Sequence, residues 1–137
     1  MPLPPAFEER SPVEQIVGAI VVTLIFGLVT GLALGWNEIV YYILAGPIAL
    51  VGGFVGGMEH RGGEEGFLRG AVGGLVFGSF ILLGLEILNT EPKAYLGEPQ
   101  VGLVFVTTIV GAILGALGGS YRARRERELA NAPVARA

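Results

Sequence analysis

The chain has 137 residues, 52% of them hydrophobic and only 15% charged, with a mean hydropathy of +0.65 and a net charge of −3. Soluble domains run nearer 25% charged, so the composition argues against an ordinary water-soluble fold, and the acidic balance offers no basic face for nucleic acid. Cysteine is absent, and there is one histidine and one lysine. That excludes a disulfide framework, a thiol nucleophile, an iron–sulfur site or a zinc knuckle, and leaves little material for acid–base chemistry.

Charge is clustered and separates four apolar runs, at 13–35, 39–57, 66–88 and 101–121. Each is near the ~20 residues that cross about 30 Å of hydrocarbon as a helix, and none alternates as a barrel strand would. The expectation is an all-α integral membrane four-helix bundle, with a 1–12 N-terminal segment and a basic 122–137 tail. Before the first run, Ser11, Pro12 and Glu14 form a capping-box pattern with proline at the first helical position. The length of this run and the acidic flank of Glu8, Glu9 and Glu14 favour an uncleaved span over a signal peptide.

Asn37 is placed to cap the second helix. Pro47, in the middle of that run, frees the carbonyl of Ile43, so a bend is expected there. The following stretch, 58–65, holds Glu59, His60 and Arg61 among glycines. It lacks the P-loop pattern, its glutamates would repel an anion, and Glu59, His60 and Glu64 have no second histidine to complete a metal shell. It reads as a polar turn, with Glu64 and Glu65 suited to the start of the third helix. No cofactor or metal is expected.

Arg69 and Glu86 fall in the third run, 17 residues apart, or about 25 Å at ~1.5 Å per residue. Each is expected to reach its own interface by snorkelling, with Glu86 the better candidate to line a vestibule. The loop 89–100 is polar, and the tail from Arg122 reads as a short helical extension that frays. With both termini and the 58–65 turn on one side, that side carries Arg10, Arg61, Arg69, Arg122, Arg124, Arg125, Arg127 and Arg136, and the other only Lys93. The positive-inside rule then puts both termini in the cytoplasm and the chain in the cell (inner or plasma) membrane.

Small residues recur every four positions in all four runs: Thr23, Gly27, Gly31, Gly35; Ala45, Ala49, Gly53, Gly57; Gly66, Gly70, Gly74, Gly78; Thr107, Gly111, Gly115, Gly119. Residues at i and i+4 share a helix face, so each helix carries a smooth groove for close packing in lipid, a glycine zipper. The spacing leaves open whether the grooves meet within one chain or serve a homo-oligomer. A faint likeness of 18–27 to 70–78 is either a direct hairpin repeat or chance matching of simple sequence. The Gly52, Gly53, Phe54, Gly56 helix end, followed by Gly66, Gly70, Ala71 and Gly74, resembles the GGFxxG…GxxxGAxxG central hairpin of uncharacterised small bacterial and archaeal four-helix membrane proteins. That resemblance implies a fold but no activity.

Between the interfaces there is no carboxylate pair, Ser–His pair or HExxH motif. The expectation is a non-enzymatic structural or interaction subunit whose partners are the lipid bilayer and a second copy or a larger membrane complex. The alternative is a small channel or transporter with a path near Pro47, Glu86 and the hydroxyls.

Overall fold

The computed structural model describes residues 3–132. Among them a short 3-10 turn, Phe7–Glu9, precedes four helices: α1, Pro12–Trp36; α2, Glu38–Met58; α3, Gly63–Ile87; and α4, Gly102–Ala130. All four are long and apolar enough to cross a membrane.

The helix ends follow from local chemistry. Ser11 Oγ accepts from the Glu14 amide (3.3 Å) while Glu14 accepts from the Ser11 amide (2.9 Å), closing the capping box that starts α1. Asn37, in an extended conformation, ends α1 and starts α2. Its Oδ1 accepts from the amides of Ile39 (2.8 Å) and Val40 (3.2 Å). Pro47 sits inside α2 without ending it.

The turn and one stretch of α1 differ from the sequence expectation. The turn between α2 and α3 is only 59–62, because Gly63, Glu64 and Glu65 already belong to α3, with the two glutamates in its first turn. As expected of the tail, the last helix continues beyond its apolar run, here to Ala130, carried past it by i,i+4 ion pairs of Arg122 with Glu126 and Arg124 with Glu128. Within α1, Val17–Val21 is π-helical, a wider turn that no residue type announces. Residues 133–137, part of the expected tail and including Arg136, lie outside the described residues.

Helices α3 and α4 make the most extensive contact in the molecule; α1 lies on α3 and α2 lies on α4. These seams are built from backbone. A Cβ added at Gly70 would strike the carbonyl of Gly111; at Gly66, that of Gly115; at Gly74, that of Thr107; at Gly78, the hydroxyl of Thr107; and at Gly119, the carbonyl of Gly62. On the α2–α4 side, Gly57 meets Gly115, Gly53 meets Leu114, and Gly118 meets Phe54 and Met58. On the α1–α3 side, Gly27 meets Phe77 and Phe80, Gly31 meets Ile81 and Gly84, and Gly35 meets Leu88 and Thr90. Gly84 and Gly118 join the seams although neither stands in a four-residue column.

The end of the bundle away from the termini is closed by side chains. Leu34, Tyr41, Phe77, Ile81, Leu85 and Ala94 form a buried cluster, and the 88–101 loop is tied onto it by the Lys93 amide donating to the Leu34 carbonyl (2.9 Å). Elsewhere the large apolar side chains point outward: Ile39, Ile43, Val51, Phe105 and Ile109 are each more than half exposed. So continuous an apolar exterior is compatible with a bundle that spans a bilayer.

Because the α3–α4 seam has no room for a methyl, Gly70→Ala should destabilise the bundle by about 1–3 kcal/mol. Gly52→Ala, where an added Cβ meets nothing within 4 Å, should change it by less than about 0.5 kcal/mol. Reversible SDS titration in mixed micelles measures both; equal midpoints would show that the seam is not close-packed.

Candidate binding cleft at the arginine end

Helices α1 and α2 are joined by the single residue Asn37 but pack on different partners. Towards the end that carries the termini they leave a cavity of about 490 Å³, floored by α3. Its walls are mainly apolar: Val22 and Phe26 of α1, Pro47, Val51 and Val55 of α2, and Phe77 of α3. Thr23 and Thr107 also line it, but both hydroxyls donate to carbonyls of their own helices, Ala19 and Val104. On its far side the cavity stops at the buried cluster, since Phe77 belongs to both and Ile48 and Ala49 pack against it.

The polar groups gather at the arginine end. Arg69 is partly buried. Its guanidinium turns into the cleft, where Nη2 donates to the carbonyl of Gly18 in the π-helical turn (3.1 Å). Its Nε is buried with no hydrogen-bond partner among the described residues, and no carboxylate there lies in ion-pair range of it. Arg10 reaches the same place from the N-terminal segment and pairs with Glu59 (2.9 Å), which lines the cleft mouth. Two guanidiniums against one carboxylate leave the mouth net positive.

The three turn residues therefore separate. Glu59 pairs with Arg10, Arg61 pairs with Glu9 (2.7 Å), and the His60 ring stacks on Phe7 with centroids 4.9 Å apart. Pro47 is on the cleft wall, whereas Glu86 is exposed towards the opposite end of α3 and is not among the residues lining it.

The N-terminal segment lies across the turn as a strap. Ala6 is buried, the Phe7 amide donates to the Glu59 carbonyl (2.7 Å), and Arg122 clamps the assembly from below. Arg122 donates to the carbonyls of Pro4 (2.8 Å) and Met58 (2.9 Å) and to Glu126 (2.8 Å), and is only 4% exposed. Sequence reasoning put it in a solvated tail. The available signal was its spacing: Gly111, Gly115, Gly118 and Arg122 continue one face of α4 at steps of three and four.

Comparison of the chain with protein-family models, with curated proteins and with solved structures finds no match. What the cleft can hold therefore follows from its own walls and charges.

Two titrations bear on the strap. Burial, and then the charge of Arg69, hold the His60 pKa below its ordinary 6.5. Glu65 (3.9 Å from Nδ1), Glu59 and Glu8 pull the other way, but Glu65 is more than half exposed and desolvation prevails. Glu9 is also held below its ordinary value, by the Ala6 amide first and Arg61 second. A depressed pKa contributes stability that is complete above the unfolded value and lost as pH falls through the folded one. Acid should thus loosen the strap, first through His60 below 6.5 and then through Glu9 below 4.5. Protection factors at the 6–10 amides, corrected for the intrinsic pH dependence of exchange, should fall as pH is lowered from about 6.5 to 5.5, and His60→Gln should flatten that fall. Separately, Arg122→Ala should destabilise the fold by about 1.5–3 kcal/mol in thermal melts. Lysine should restore only part, lacking the guanidinium fork.

Proposed function

We propose that the chain is a non-enzymatic multi-pass protein of the cell membrane, with both termini cytoplasmic, that works by interaction. Its bundle is packed as a glycine zipper and presents the α1–α2 cleft to another membrane component. The observation that carries this reading is the division of labour among the glycines. The columns are occupied by close contacts inside the chain, while the cleft stays open between two helices that pack mainly on different partners. The arginine excess at one end supports the orientation. The charges within the apolar stretches, Arg69 and Glu86, sit towards opposite ends of α3 and cannot act as a pair.

Because the columns named for self-association are engaged internally, a homo-oligomer or larger complex would form through the outward faces of α1 and α2. Conduction has less support, because the cavity ends against the Leu34–Phe77–Ile81 cluster and Glu86 lies off it. Reconstituted vesicles should accordingly be tight to protons and potassium. A leak altered by Pro47→Ala would favour a channel. A photo-crosslinking residue at Val55, on the cleft, should capture a component of defined mass in native membranes, whereas one at Phe105, on the outer face of α4, should label diffusely. Identical labelling from both positions would overturn the interaction reading.

A further inference from the structure

The glycines of this chain fall into two physical classes. At Gly57, Gly66, Gly70, Gly74, Gly111 and Gly115 an added Cβ would strike the backbone of a neighbouring helix, so their smallness serves packing. At Gly18, Gly52, Gly56 and Gly73 it would not. A Cβ at Gly52 meets nothing within 4 Å; at Gly56 and Gly73 it meets only the guanidinium of Arg69, and at Gly18 only that of Arg10. All four of these line the cleft. Their missing side chains are not needed to bring helices together. They leave space around two guanidiniums.

Resting on the interaction reading above, we infer that the cleft is a site for one anionic phospholipid, its phosphate on Arg69 and an acyl chain along the α1–α2 walls. The charge balance favours an anion. Arg10 and Glu59 pair with each other, no carboxylate among the described residues lies in ion-pair range of Arg69, and its buried Nε is an unused donor. Guanidinium presents a planar fork of donors suited to phosphate oxygens. The depth fits a bilayer lipid: Arg69 is six residues past Gly63, about 9 Å along the axis at ~1.5 Å per residue, close beneath the headgroup level. The walls fit as well. A volume of about 490 Å³ lies within the roughly 300–1,000 Å³ of sites that enclose a small ligand. The apolar lining gives a free aqueous anion nothing beyond the arginine. Entry is lateral, since Val22, Val51 and Val55 are on the lining and exposed to the surrounding hydrocarbon.

Native mass spectrometry of the full chain, released from nanodiscs of mixed phosphatidylglycerol and phosphatidylcholine, tests this. One phosphatidylglycerol should be retained in preference to phosphatidylcholine. Arg69→Gln should lower its retention about tenfold or more, the loss of a charge-assisted hydrogen bond. Gly52→Leu fills the cleft without touching Arg69 and should also displace the lipid, which covers the case in which Arg69→Gln does not fold. Inorganic phosphate should not compete. Equal retention of both lipids, indifference to both variants, or displacement by phosphate alone would overturn the lipid site. A second copy or a peptide retained instead would overturn it while leaving the interaction reading standing. A cleft that retains nothing and captures nothing from Val55 would remove both.

Discussion

Backbone approaches backbone where α3 crosses α4, and the remainder of the molecule is arranged around that contact. Gly66, Gly70 and Gly74 lie against Gly115, Gly111 and Thr107 with no space for a methyl between them. In a bilayer hydrophobic burial would not drive such an association, because lipid tails are as apolar as the side chains inside. The gain comes from dispersion and weak Cα–H···O contacts, both of which need the closest approach. Gly115 is pressed from two sides, by Gly66 of α3 and Gly57 of α2, so one residue joins three helices. With α1 seated on α3 and α2 on α4, the two outer helices are held by different members of the central pair. The cleft between them is the geometric consequence.

The two ends of the bundle are finished by different chemistry. At the loop end apolar side chains and the folded-back 88–101 segment fill the space around Leu34 and Ile81. At the arginine end the space is spanned by guanidiniums satisfying carbonyls: Arg122 on Pro4 and Met58, Arg69 on Gly18. A carbonyl oxygen has two lone pairs, so each can accept from an arginine without a buried carboxylate beside it. This makes the arginine end both a clasp for the N-terminal strap and a place where a positive charge faces an apolar cavity. The inferred lipid site and the pH-sensitive strap share Glu59, which binds the Arg10 of the strap at the cleft mouth.

Much of this was legible from residue types alone, and the reason is that long apolar helices obey local rules. Span length, the capping box at Ser11, the Asn37 cap and the four-residue recurrence of glycine each depend on neighbours within one or two turns, so a one-dimensional pattern carries them. The four helices and their approximate limits follow from these, as does the turn character of Glu59, His60 and Arg61. Which glycine meets which helix does not, because spacing defines a face but not its partner. The four-residue column did pick out Gly53 and Gly57 as packing positions, but spacing gave Gly52 and Gly56 no role. One pair opens the cleft and the other closes the α2–α4 seam, and they differ by a single step around the same helix.

Tertiary structure alone decided the fate of the charges. Arg69 and Arg122 carry the same side chain near the same end. One turns into a cleft because the Gly18 carbonyl and the bare faces of Gly56 and Gly73 receive it; the other is buried because the N-terminal segment returns across 118 residues to meet it. Glu86, equally conspicuous in the sequence, is left on the exterior. An ionisable residue in an apolar run signals an exceptional environment. What resolves that environment is the set of carbonyls and gaps that other helices bring to it, and no local pattern encodes that set.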